Sequence, residues 1–227
     1  GFFVASDVEV FFLTMFTDAA AAGHFKVAYQ LAAGAATLVP GVIGVLLLPM
    51  MAGALSQGRD IAGRRFVAST RYLLLLAAPL AAFGAVFSGP IILLMYGSAY
   101  TPAIPVFAVC LAVCALAAVS QGGSSLLVSA DRQGTVLVIA VAGGLLKIVL
   151  HVWLIHARGL AGATAAYLVV GIVSAAAYIL VAMRTVEARL EWARLLRILV
   201  AAGVAAALLL PLLGHWRPLP TLLVAAP

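Results

Sequence analysis

Residues 72–96 read YLLLLAAPLAAFGAVFSGPIILLMY, a run without one acidic, basic or histidine side chain. A helix needs about 20 predominantly apolar residues to cross the hydrocarbon core of a bilayer, and this run exceeds that length. Working outward, charge stays absent to residue 130, and further uncharged runs occupy 27–57, 159–183 and 198–216. Only 9% of the 227 residues are Asp, Glu, Lys or Arg, and 66% are hydrophobic, whereas a soluble domain carries roughly 25% charged residues. The fold class implied is all-α: a polytopic transmembrane helix bundle of about seven to eight spans.

Apolar runs and their breaks place spans at 1–16, 27–55, 72–96, 102–128, 135–155, 160–183 and 195–213, with an eighth beginning at 219. The breaks at 21–26, 57–71, 97–101, 130–134, 156–159, 184–194 and 214–218 read as short loops joining antiparallel neighbours. Loops on alternate sides then divide the basic residues unequally. Arg59, Arg64, Arg65, Arg71, Arg132, Arg184, Arg189, Arg194 and Arg197 fall on one side, and Lys26, Arg158 and Arg217 on the other. Lys147 alone lies within a span. The positive-inside rule assigns the first set to the cytoplasm, so the first span is expected to run outward. With a pI near 9.8 and net charge of +6, a nucleic-acid partner would be the reading for a soluble chain. Here no basic patch is interleaved with aromatics, and the charge reads as a topology signal. The chain opens at Gly1 and stops at Pro227, each inside an apolar segment, as expected of part of a longer polypeptide.

Segment 184–197 differs in kind. Val186, Leu190 and Ala193 recur at helical spacing, while Arg184, Glu187, Glu191 and Arg194 gather on another face. Two readings stay open: a short amphipathic helix in the cytoplasmic interface, or an extension of the adjoining span.

Ionisable groups inside a span are costly, about 2.5–3.5 kcal/mol at the helix centre on insertion scales, and they usually face a protein interior or wet cavity. Asp7 and Glu9 lie in the first span and Lys147 in the fifth. Two residues are about 200° apart on a helix, so Asp7 and Glu9 cannot share a face; Asp7 is the preferred pathway residue of the two. His151, four residues after Lys147, shares its face and extends a polar stripe. Pro40, Pro49, Pro79 and Pro90 each remove a backbone hydrogen bond and are expected as kinks, which membranes tolerate where neighbours or cavity water satisfy the freed carbonyl. Cys110 and Cys114, four apart in an apolar run, read as small buried side chains, with no His or carboxylate nearby to complete a metal site. No phosphate-cradling glycine loop, metal-spaced His/Cys cluster or nucleophile elbow is present, so no catalytic residue and no resident cofactor is expected.

The order of motifs resembles a known family. The charged first helix leads to Thr17-Asp18 and Ala22-Gly23-His24-Phe25-Lys26-Val27-Ala28-Tyr29, and a proline-bearing helix contains Leu48-Pro49-Met50. Ala78-Pro79-Leu80, Pro90-Ile91-Ile92 and Tyr96-Gly97-Ser98-Ala99-Tyr100 follow, then Leu127-Val128-Ser129-Ala130-Asp131-Arg132-Gln133. Lys147-Ile148, Leu154-Ile155 and Gly159-Leu160-Ala161-Gly162-Ala163 complete the series. Over about residues 1–185 this resembles the C-terminal half of Wzx-like polysaccharide flippases, a branch of the multidrug/oligosaccharidyl-lipid/polysaccharide exporter superfamily. Members often place Pro after the Leu-Ile of helix eleven, where His156 stands here.

That resemblance implies a two-lobed exporter of the bacterial cytoplasmic membrane working by alternating access, not an enzyme. Residues 1–183 would be its second six-helix lobe with the first helix truncated, 184–197 a cytoplasmic amphipathic linker, and 198–227 additional C-terminal helices. The cargo implied is an undecaprenyl pyrophosphate-linked oligosaccharide, and the partners are membrane lipid, that glycan and the N-terminal lobe of the same protein. Lys147 or Arg71 would contact the anionic pyrophosphate, and Asp7 would bind a coupling proton or sodium ion. Competing readings are a lipid II flippase or multidrug/cation antiporter of the same superfamily, an intramembrane glycan ligase or polymerase, and a structural membrane subunit. The short outer loops count against the enzyme.

Overall fold

The computed structural model describes residues 4–37 and 42–214, and among these every regular element is helical. Eight helices follow in order: α1 (Val4–Phe16), α2 (Ala19–Ala36), α3 (Val42–Gln57), α4 (Arg59–Val86), α5 (Ser88–Tyr96), α6 (Ala103–Ser129), α7 (Gln133–Thr185) and α8 (Trp192–Gly214). A single 3-10 turn, Ser98–Tyr100, links α5 to α6. Four of the helices are long and apolar enough to cross a membrane: α4, α6, α7 and α8 over Trp192–Leu209. The expected span from residue 219 and the kink at Pro40 lie outside the described residues.

α7 is too long for one crossing, and it folds back on itself. Gly159 takes φ 54° and ψ −130° inside it, a backbone region open to glycine and strained for any residue with a Cβ. On either side of that turn the two limbs run antiparallel. A Cβ on Gly143 would lie 3.1 Å from Ser174 Oγ, and Arg132 donates to Thr185 Oγ1 at 3.3 Å. The two spans expected over 135–155 and 160–183 are these limbs, and the break between them shrinks to one glycine.

While α1 rests on α2 and α7, α2–α5 and α7 pack around the central helix, α6. Its sequence explains that place: Cys110, Cys114, Ser120, Gly122, Gly123 and Ser125 are small, and all are buried. Small side chains let helix backbones approach closely where no hydrophobic drive separates protein from lipid. A Cβ on Gly123 would fall 2.8 Å from the Tyr178 carbonyl oxygen, and one on Gly122 3.1 Å from Ser69 Oγ. α6 is thus pressed between α4 and the second limb of α7. Two apolar clusters lie along it. Phe25, Ala28, Tyr29, Phe107, Cys110 and Ile155 form one, and Met51, Phe66, Leu73, Leu126 and Ala182 the other. α2 and α3 run alongside α6 in its own direction, since His24 Nε2 meets the Ala99 carbonyl at one end and Ser129 Oγ donates to the Leu48 carbonyl at the other. α8 lies against α4 and turns most of its apolar side chains outward, Leu196, Leu199, Val204 and Leu208 among them; on a membrane helix these meet lipid.

Three sequence expectations are corrected. The loop at 21–26 is helical, because Asp18 Oδ1 accepts from Ala21 N at 2.6 Å and starts α2 there, ahead of an alanine run of high helix propensity. Asp18→Ala should therefore lower stability by about 1 kcal/mol, measured as an earlier melting transition in detergent. The loop at 57–71 contracts to Gly58 at φ 126°, and α4 begins at Arg59. Hydropathy marks where a helix enters the membrane, and this helix starts about three turns before that point. Lastly, 184–197 forms neither one amphipathic helix nor a plain continuation of a span. α7 ends at Thr185, Glu187 adopts φ 52°, and helix resumes only at Trp192. Val186 and Leu190, expected on a membrane-facing stripe, are instead turned inward, at 4% and 6% exposure.

The prolines behave unequally. Pro49 and Pro79 lie within continuous helices. Pro90 coincides with a break: it clashes with the carbonyl four residues back, and α4 stops at that residue, Val86.

Candidate functional site

Among the described residues, buried charge gathers in one cluster inside the bundle. Glu9 projects from α1, fully buried, with Phe12, Leu13 and Val10 of the same helix in the apolar cluster around it. Lys147 and His151 project from the first limb of α7, one helical turn apart, and α1 packs directly on α7. Lys147 Nζ lies 2.7 Å from Glu9 Oε1, and His151 Nε2 lies 3.9 Å from the same oxygen. His151 is itself fully buried.

The chemistry of the imidazole follows from its other nitrogen. His151 Nδ1 sits 2.8 Å from the Lys147 carbonyl oxygen, and a carbonyl only accepts, so Nδ1 carries the proton. In the neutral ring Nε2 then bears a lone pair turned toward a carboxylate. Two bases face each other, and neither Glu9 Oε2 nor His151 Nε2 has a hydrogen-bond partner among the described residues. Buried polar atoms in that condition are rare and call for a reason. A proton on Nε2 would create a donor aimed at Glu9, and one on the carboxylate would weaken its pair with Lys147. The arrangement can hold a proton and can report its presence through the contact between α1 and α7.

The aromatic wall beside this cluster is also ordered. Tyr167, on the second limb of α7, packs edge-on against Phe25 at 5.9 Å and Tyr29 at 6.0 Å between ring centroids. Cys110 and Cys114 are unpaired thiols buried in α6, in line with their reading as small core side chains. Among the described residues no group of three His, Cys, Asp or Glu side chains could hold a metal ion.

The structure thus unites three of the five candidate residues. Asp7 lies on α1, but its side chain falls outside the described residues. Arg71 does not join the cluster. It lines a separate cleft between α4 and the segment leading into α8, with its guanidinium 5.1 Å from the Tyr72 ring centre. The sequence alone favours Asp7 over Glu9 as the pathway residue, but spacing shows only that the two occupy different faces and leaves open which face turns inward. The cleft has no signal in the sequence, because residues 186–191 carry a helical pattern.

No curated protein matches the chain, and no solved structure matches it. Residues 2–105, which run from α1 through the start of α6 and include Glu9 but not Lys147 or His151, match the family model described as polysaccharide biosynthesis protein; with the apolar spans, this supports a role in polysaccharide biosynthesis for a multi-pass membrane protein.

Proposed function

We propose that this chain is the second lobe of a lipid-linked oligosaccharide flippase of the bacterial cytoplasmic membrane, and that proton binding at Glu9–His151 drives its alternating access. The observation that carries the reading is the buried Glu9–Lys147–His151 cluster joining α1 to α7. A charged cluster inside a spanning bundle has a cost that an inert subunit has no reason to bear, and it couples two helices whose separation a transport cycle would change. The family match over residues 2–105 supplies the pathway, polysaccharide assembly. The cargo is an undecaprenyl pyrophosphate-linked repeat unit, and a second six-helix lobe preceding this one in the same polypeptide completes the cavity. Protonation of the Glu9 carboxylate weakens its pair with Lys147 and frees the helices to part, and passage of the proton to His151 Nε2 restores the charge on Glu9 and the contact.

The test uses the full-length gene in its native strain, with surface polysaccharide as the readout. Glu9→Gln and His151→Gln, compared at matched membrane abundance, should cut export by at least tenfold, on the scale of lost acid–base groups, and leave lipid-linked repeat units on the cytoplasmic side. Glu9→Asp should retain partial export with an altered pH profile. Full export by both neutral variants, with the pH profile unchanged, would sink the coupling role; normal export of polysaccharide in a gene deletion would sink the flippase itself.

A further inference from the structure

The cleft that holds Arg71 is a second site of different chemistry. One face of α4 presents Asp60, Gly63, Arg64, Val67, Ala68 and Arg71 at the spacing of a single helical stripe. Opposite it stand the irregular segment 186–191 and the first turn of α8, enclosing a volume of about 420 Å³. Buried Val186 and Leu190 hold that wall down. Gly63 lets it come close, since a Cβ there would lie 3.4 Å from the Val186 carbonyl oxygen. Glu187 adopts φ 52° within the wall, an uncommon conformation for a residue with a Cβ that tends to accompany functional turns.

The charges in the cleft are incompletely matched. Arg194 pairs with Glu191 at 2.6 Å. Arg64, Arg71 and Arg189 have no carboxylate within ion-pair distance among the described residues, although Asp60 and Glu187 stand on the same rim. Three guanidiniums from two sides of a preformed cleft are left to an external anion, and the planar fork of arginine suits phosphate oxygens.

The level of the cleft identifies the source of that anion. Arg71 is the last charged residue before the uncharged run beginning at Tyr72, so it marks the membrane edge. Tyr72 and Trp192 are exposed beside it, at 56% and 61%, as aromatic residues are at the headgroup level. The positive-inside rule puts this face in the cytoplasm, where anionic lipids gather against basic pockets between helices.

We infer that the cleft between α4 and residues 186–195 binds the phosphate of an anionic phospholipid headgroup in the cytoplasmic leaflet, through Arg64, Arg71 and Arg189. The inference is independent of transport, since none of these residues touches the Glu9 cluster. The test titrates the full chain in detergent with short-chain dihexanoyl-phosphatidylglycerol, dihexanoyl-phosphatidylcholine and inorganic phosphate. Saturable binding of phosphatidylglycerol, tighter than either competitor, is expected. Arg64→Gln/Arg71→Gln should weaken it roughly 25-fold, about fivefold for each guanidinium removed. Arg158→Gln, at the turn between the limbs of α7, should leave it unchanged. Arg64→Lys/Arg71→Lys, which keeps the charge and guards against loss of fold, should retain most of the binding. Equal affinity for the two lipids, or an unchanged affinity in the double glutamine variant, overturns the site. Inorganic phosphate binding as tightly as phosphatidylglycerol overturns the lipid assignment in favour of a soluble phosphate compound.

Discussion

Glu9→Ala is expected to destabilise the bundle by about 3–5 kcal/mol, because it takes away the buried carboxylate that pairs with the Lys147 ammonium. Glu9 is fully buried and Lys147 keeps 14% side-chain exposure, so water cannot replace the lost partner well. Lys147→Met should do similar damage for the opposite reason, stranding a carboxylate whose oxygens have no hydrogen-bond partner beside that ion pair among the described residues. The double variant Glu9→Ala/Lys147→Met removes both charges and should recover most of the loss, since a buried ion pair contributes little net stability over apolar side chains. A double-mutant cycle of melting temperatures in detergent measures the coupling. Additive losses, with no recovery in the double variant, would show that the 2.7 Å contact is not an energetic pair.

Gly162→Leu should prevent the α7 hairpin from closing. A Cβ at residue 162 would overlap the backbone carbonyl of Leu154 on the facing limb, and backbone on a packed helix cannot move aside as a side-chain tip can. Overpacking of ordinary cores costs about 1–3 kcal/mol, and this site belongs at or above the top of that range. Gly162→Ala should already show much of the effect. Gly144→Ala is the contrast, because nothing lies within 4 Å of its would-be Cβ; it should be neutral or gain slightly in helix propensity. The readout is a disulfide across the hairpin, Gly143→Cys/Ser174→Cys, in a background with Cys110 and Cys114 replaced by alanine. The bond should form in the parent and fail with Gly162→Leu. Efficient cross-linking in that variant would mean that the limbs do not meet at Gly162.

These two effects differ in how far they could be read beforehand. Gly159, Gly162 and Ala163 stand together between two apolar runs, and small residues there let helices approach closely. That Gly162 faces Leu154 depends on the φ 54° turn at Gly159, a conformation glycine permits without demanding. The site was legible in parts. Lys147 and His151 share a face by spacing alone, but their partner lies on a helix far away in the chain. Spacing leaves open whether Asp7 or Glu9 turns inward, and it is the rotation of α1 against α7 that brings Glu9 to Lys147. The wall over 186–191 failed to show because its residues carry a helical pattern, while burial of Val186 and Leu190 against the bundle outweighed it.

The sequence by itself determined that this is a membrane helix bundle and which side carries its basic residues. Transfer into lipid is close to a sum over residues, so composition along the chain is enough to decide it. The tertiary structure alone decided that Glu9 meets Lys147 and His151, that α6 is the pivot of the packing, and that Arg71 lines a cleft apart from them. Those outcomes depend on which faces of the helices meet, and lipid, as apolar as the helix surfaces themselves, does not select a face; close packing of small residues and the pairing of buried charge do.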